Sequence, residues 1–298
     1  MTDRSRGILS ILASAFGFSM MAFFVRLADD CGDSLSAFQK GFFRNAVAFA
    51  IASFALARKR GRLRPFPARS VPVLLLRCLL GTIGIFANFH ALGRIPIAEA
   101  QTLNKTAPFF TVVAAWLFLG EKASARQFAA LAIAFAGVVL VAKPGFAGPA
   151  SLPLLIALFG GVCAGGAYAC LRSLRRRGAE PASIVFFFSL FSCLASLPFF
   201  VFDFTPMTAA QTAVLVLAGI SAALGQFGIT AAYGFAAPRE IAVYDYSSIV
   251  FTALLGFAFF GQLPDALSFA GFALVVFAAA WMHSRIDAVR RKMVQSAP

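Results

Sequence analysis

Charge is scarce in this sequence: Asp, Glu, Lys and Arg make up 13% of its 298 residues, whereas 60% are hydrophobic. A soluble domain carries about 25% charged residues. Too little polar surface is left to cover a water-soluble core, so a soluble globular fold is excluded. Cys31, Cys78, Cys163, Cys170 and Cys193 show neither disulfide pairing nor metal-ligand spacing, and four of the five lie in apolar segments as small core residues. No GxxxxGK[ST] loop is present, which excludes ATP as the direct driving force. HExxH, GxSxG and any recurring His/Asp pattern are missing as well, so neither an enzyme nor a metal site is supported and no cofactor is expected. No extramembrane domain supports a receptor. Residues 1–6 form a basic leader with no small-residue cleavage site behind it, and are expected to stay attached to the first apolar run.

What is abundant is long apolar runs, which recur from end to end and point to an all-α polytopic membrane protein. Spans of about 20 residues separated by turn signals predict ten transmembrane helices, at 7–27, 36–57, 70–92, 95–119, 124–142, 151–171, 182–202, 208–235, 238–260 and 264–283. The net charge of +14 would suggest nucleic acid in a soluble protein, but its distribution argues otherwise. The basic residues cluster at Arg58–Arg69, at Arg172–Arg177 and after Arg285. With the N-terminus in the cytoplasm, 19 of the 26 Lys and Arg fall at the termini and the even-numbered loops. That bias orients both termini to the cytoplasm. It makes the basic loops membrane anchors, with lipid as their partner and no nucleic acid.

The stretch from Ile95 to Lys122 has a second copy. A shift of 141 positions, without gaps, lays Ala91–Ala142 over Ala232–His283 and matches Gly93 to Gly234, Glu99 to Glu240, Phe110-Thr111 to Phe251-Thr252 and Gly120 to Gly261. Such a match over two helices indicates internal duplication. Five crossings per half give the halves, 1–145 and 146–298 with its short cytoplasmic tail, opposite orientations: two inverted five-helix repeats, a common basis for alternating access around a midplane site.

Ten spans in inverted halves, the TAPFF run of the fourth helix, its FLGEK ending and the AGVVLVAKP ending of the fifth resemble the EamA-like family of the drug/metabolite transporter superfamily. The resemblance covers nearly the whole chain and implies a basket of ten helices around a central cavity, in a bacterial-type inner membrane. It implies export of amino acids and related metabolites, with importers of other small metabolites among relatives. The second half departs from the pattern, with Gly261-Gln262-Leu263-Pro264 where the first has Gly120-Glu121-Lys122-Ala123.

Polar groups deep in apolar helices are costly and normally face protein or a water-filled cavity. Lys105 is about ten residues from either end of its predicted span. It is read either as a contact for a substrate anion or as a structural partner of Glu99, Glu240 or Asp245. Asn104 maps onto Asp245 in the repeat, so the polar positions of helices four and nine approach one layer. Asp245 lies in YDYSS with Tyr244 beside it and Ser248 a turn along the same face. Glu99, Glu240 and Asp245 are the candidate proton-coupling groups. Asn88 either bonds across a helix contact or faces the cavity, and His90 reads as a packing residue. Gly161 and Gly165, and Ser221, Gly225 and Gly228, form close-packing faces, with Gln226 and Tyr233 as weaker lining candidates. Arg77 is expected at the cytoplasmic interface and Arg44 nearer the opposite side, both in packing or gate contacts.

The leading expectation is a secondary transporter that exports a small polar or zwitterionic metabolite, an amino acid or a relative. It would be driven by a proton or ion gradient or by exchange. The alternative is uptake or exchange of a larger anionic or nucleotide-like metabolite, and the non-transport reading is a membrane receptor or structural protein. A homodimer is compatible with the sequence. The topology is checked by single introduced cysteines. Those near Arg62 and Arg176 should be protected from an impermeant reagent outside intact cells, and one near Gly145 should react; labelling at both basic loops would reverse the orientation.

Overall fold

The computed structural model describes residues 2–33, 35–58, 68–92, 103–142, 152–260 and 265–295, and every regular element in them is helical. In chain order these are α1 Asp3–Asp30, α2 Ala37–Ala57, α3 Val71–Leu92, α4 Ala107–Leu119, α5 Ala125–Ala142, α6 Leu152–Arg176, α7 Pro181–Phe202, α8 Ala209–Phe235, the single turn α9 Pro238–Ile241, α10 Ser247–Phe260 and α11 Ala266–Gln295. Among the described residues six helical stretches are long and apolar enough to cross a membrane, and three more are apolar but shorter. Their outward faces carry bare aromatic side chains, Phe118 at 82% and Phe202 at 89% exposure. Lipid solvates such a surface and water does not, so the chain is a polytopic membrane protein.

Two of the spans predicted as continuous are broken. Helical geometry reaches Asn104, gives way to a turn at Lys105 and Thr106, and restarts as α4 at Ala107. In the second half a 3-10 segment, Ala242–Tyr246, separates α9 from α10. Gly120 ends α4 in the left-handed region, with φ of 67°, a conformation that costs glycine least. Pro108 contributes to the first break: it has no N–H to donate and is tolerated only in a first helical turn. The sequence pattern hid both breaks because hydropathy is continuous through them. Glu99, like the rest of 93–102, lies outside the described residues.

Backbone carbonyls inside a membrane need donors, and at the breaks hydroxyls add a second donor, in matching places, to carbonyls that a backbone N–H already bonds. Thr106 Oγ1 donates to Leu103 O at 2.6 Å, and Ser247 Oγ to Tyr244 O at 2.7 Å. One turn on, Thr111 Oγ1 donates to Ala107 O and Thr252 Oγ1 to Ser248 O, each at 2.8 Å. Both pairs of bonds stand 141 positions apart.

Long-range packing joins the first half to the second: α1 runs along α8, α3 along α6, α2 along α7 and α5 along α11. Water offers no driving force between helices in lipid, so close backbone approach carries the association. A Cβ on Gly17 would sit 2.7 Å from Gly225 N and 2.9 Å from Ser221 O. A Cβ on Gly84 would sit 3.2 Å from Gly160 O. The small-residue faces expected on α6 and α8 are therefore helix contacts. Gly161 and Gly165 receive the broken segment before α4, with Leu103 O and Ala107 O 2.7 and 2.9 Å from where their Cβ atoms would be.

The ends of the bundle are closed by polar groups. At one end Lys40 Nζ meets Asp29 Oδ1 at 2.6 Å, and Gln211 Nε2 donates to Ala28 O and Asp33 O. At the other, Arg177 Nη1 donates to Arg69 O and Arg239 Nη1 to Lys122 O. With Arg176 meeting Glu121, the connections at Arg69, Lys122, Arg177 and Arg239 therefore share one end. Because only backbone faces Gly17, Gly17→Val should lower stability by about 1–3 kcal/mol. Thermal unfolding in detergent checks it, and an unchanged midpoint would deny the close contact.

Candidate functional site

The two breaks bring their polar residues together. Lys105 Nζ lies 3.8 Å from Asp245 Oδ2, with side chains 18% and 10% exposed. At that distance this is an ion pair and not a hydrogen bond. Of the two described partners the sequence offered Lys105, Asp245 is the one it meets, and Glu99 lies outside the described residues. Glu240 instead lies 3.9 Å from Arg239, its side chain 30% exposed, and stands apart from the pair. Lys105 sits in a turn, not in the middle of a regular helix, so it approaches Asp245 from one discontinuity to the other.

Aromatic hydroxyls surround the carboxylate. Tyr168, Tyr233 and Tyr246 all lie within electrostatic reach of Asp245. The rings of Tyr168 and Tyr233 are 5.8 Å apart, and Tyr233 shares a hydrogen bond with Thr111 on α4. Tyr246 is fully buried and its hydroxyl has no partner. Tyr244 is buried next to the acid. Ser248 does not extend the acid's face along a regular helix as expected. Its hydroxyl donates to Asp245 O at 2.8 Å, and its own carbonyl accepts from Ser19 of α1 at 2.9 Å, which ties the break to α1. Asn104 is half-buried at the end of its helical segment.

A second group lies on α2, α3, α7 and α8. Arg77 is 2% exposed, enclosed among packed helices. Its Nη2 donates to Gln226 Oε1 at 3.2 Å, and its guanidinium lies over the Phe188 ring at 4.1 Å. The guanidinium occupies the space a side chain at Gly81 would need, which is why a glycine stands one helical turn away. Arg44 is 6% exposed, with the Phe18 ring 5.9 Å from its guanidinium. Asn88 is half-buried, its Oδ1 enclosed without a partner.

Tyr168 connects the groups, within electrostatic reach of Asp245, Arg44 and Arg77 alike. Sequence reasoning passed over it. The available signal was spacing: Gly161, Gly165, Tyr168 and Arg172 recur at three- and four-residue intervals and share one face of α6. Arg172, taken for a loop anchor, is also more than that. Its Nε meets Glu121 Oε1 at 2.8 Å, with side chains 16% and 10% exposed, and its Nη1 donates to Tyr233 O at 3.2 Å. Arg176 reaches the same carboxylate oxygen at 3.4 Å. This cluster ties the ends of α4, α6 and α8 together below the tyrosines. Among the described residues no group of His, Cys, Asp and Glu could hold a metal, and the five cysteines are free.

Comparison with known proteins gives concordant results. The profile of the EamA-like transporter family matches residues 5–143. The chain is 31% identical to the pseudopaline exporter CntI of Pseudomonas aeruginosa over 91% of its own length and 94% of that protein's. It is 30% identical to a riboflavin transporter of Rhizobium johnstonii, over 69% of this chain and 68% of that one. A protein of known crystal structure shares the fold with a TM-score of 0.74 at 21% identity, covering 93% of this chain and 96% of that chain.

The cluster at Glu121 yields a direct test. Glu121→Gln removes the charge facing two arginines and should cost about 1–3 kcal/mol in thermal unfolding. The exchanged pair, Glu121→Arg with Arg172→Glu, should regain part of the loss. No loss in the single variant would reduce the cluster to a surface ion pair.

Proposed function

This chain belongs to the EamA-like transporter family, and on that premise we propose that it is a secondary transporter of a larger organic metabolite bearing anionic groups. We infer that it works by alternating access around the layer where Lys105 meets Asp245. The protein is a transporter and not an enzyme. The observation that carries the finer reading is the meeting of two broken helices through oppositely charged side chains 3.8 Å apart. Discontinuous helices in corresponding parts of two repeats mark the binding sites of many transporters. An ion pair between the breaks can be exchanged for contacts with a substrate.

Ten crossings in two inverted repeats are supported by hydrogen bonds and packing that recur in corresponding places. Thr106 and Ser247 cap equivalent carbonyls. The α1–α8 and α3–α6 contacts are exchanged by the same pseudo-twofold relation. Both termini are read as cytoplasmic, on the bias of basic residues toward the even-numbered connections. The small amino acid that the sequence alone favoured gives way to the larger anionic alternative. The names of the relatives support the larger size, since one exports pseudopaline and another carries riboflavin. The match along nearly the whole chain to a protein named as an exporter favours efflux.

Asp245 is the coupling group in this reading, because protonating it would release Lys105. Asp245→Asn keeps the shape and much of the hydrogen-bonding capacity but cannot titrate. In proteoliposomes a folded D245N protein should bind and exchange substrate yet lose accumulation driven by an imposed pH gradient. Lys105→Ala should weaken substrate binding while leaving the protein monodisperse. Wild-type accumulation and pH dependence in D245N would remove Asp245 from coupling.

A further inference from the structure

Among the described residues, charge around the breaks does not balance. The ionisable side chains enclosed there are Lys105, Arg44, Arg77 and Asp245, three cations and one carboxylate. Asp245 is already engaged by Lys105. Among the described residues no carboxylate pairs with Arg44 or Arg77, and the Nε of each is enclosed without an acceptor. Their charges lie close enough to repel one another. A guanidinium does not escape burial by losing its proton, and an uncompensated buried charge is strongly destabilising. Two neighbouring guanidiniums without a counter-ion are therefore a site that an anion completes.

The surroundings fit that use. Gln226 and Phe188 hold the Arg77 guanidinium in place, one by a hydrogen bond and the other by its ring face. Phe18 stands against Arg44. Neither contact neutralises charge. Tyr168 is within electrostatic reach of both arginines and of Asp245. Both arginines belong to the first half, and position 218, which the repeat register sets against Arg77, is alanine. The second half supplies no matching cation there. The twofold relation thus explains the breaks but not the arginines, as expected of residues kept for a ligand that is itself asymmetric.

We propose that Arg44 and Arg77 form the anion subsite of the transported molecule, and that the substrate is an organic dianion held by its carboxylate or phosphate groups. Two negative charges cancel the surplus of two positive charges left once Lys105 and Asp245 have paired. The planar fork of a guanidinium matches a carboxylate or a phosphate through paired hydrogen bonds. This inference rests on the transport reading for its role but not for its binding chemistry.

The test uses the protein in detergent and in liposomes, with succinate, phthalate, glycerol 3-phosphate, alanine and putrescine as probes. Thermal stabilisation reads binding, and counterflow of the labelled probes reads transport. At least one dianion should stabilise the wild-type protein, and alanine and putrescine should not. Succinate and phthalate against glycerol 3-phosphate decide between carboxylate and phosphate. Arg44→Gln and Arg77→Gln should each weaken the effective dianion by about 30-fold or more. Arg44→Lys and Arg77→Lys, which keep the charge and lose the fork, should weaken it less, and they stand in if a Gln variant does not fold. Stabilisation by alanine or putrescine alone, or equal dianion affinity in wild type and every folded arginine variant, overturns the subsite. Arginine-dependent dianion binding without counterflow of that dianion upholds the subsite and counts against the transport reading.

Discussion

A carbonyl oxygen inside a bilayer has no water to turn to, and this constraint shapes the centre of the molecule. The chain interrupts two helices inside the bundle, and at each interruption a backbone N–H and a neighbouring hydroxyl both bond the carbonyl one turn back. Thr106 does this for Leu103, and Ser247 for Tyr244. Ser248 serves Asp245 O as well, while passing its own carbonyl to Ser19 on α1. With the backbone satisfied locally, the side chains at the breaks are free for other work. Lys105 and Asp245 are those side chains.

The glycines follow from the same constraint. Helices in lipid adhere by contact and not by expelling water, so the elements that carry the breaks must be held closely. Gly161 and Gly165 let the segment from Leu103 to Phe110 lie against the α6 backbone, and Gly17 lets α1 lie against α8. The same surface of α6 then continues to Tyr168, beside the carboxylate, and to Arg172, whose bond with Glu121 closes the end of the bundle. One helical face thus carries packing, the polar layer and the end closure in succession.

The charges are distributed unevenly between the two halves of the chain. Both buried arginines stand in the first half, and the carboxylate at the breaks, Asp245, comes from the second, while Glu121 of the first half is held by Arg172 and Arg176. A repeat can be duplicated wholesale, but a ligand with distinct ends calls for different residues in the two copies. That difference is where substrate choice can reside within a family whose members carry dissimilar molecules.

Much of the architecture was legible in the chain itself. Hydropathy located the helices, because a span has to match the thickness of a bilayer, and the all-helical membrane fold follows from it. The gapless register between the halves marked Asn104 and Asp245 as equivalent, and the choice of Asp245 as a partner for Lys105 was among the sequence alternatives. The helix breaks were not legible, since a 3-10 turn and an α-helix of the same apolar residues have the same hydropathy. Nor were the deep burial of Arg77, the bridging position of Tyr168, or the separation of Glu240 from the polar layer. Each depends on which residues from distant helices surround the side chain. Sequence periodicity reports the face a residue takes on its own helix, whereas only the packed bundle decides what that face meets.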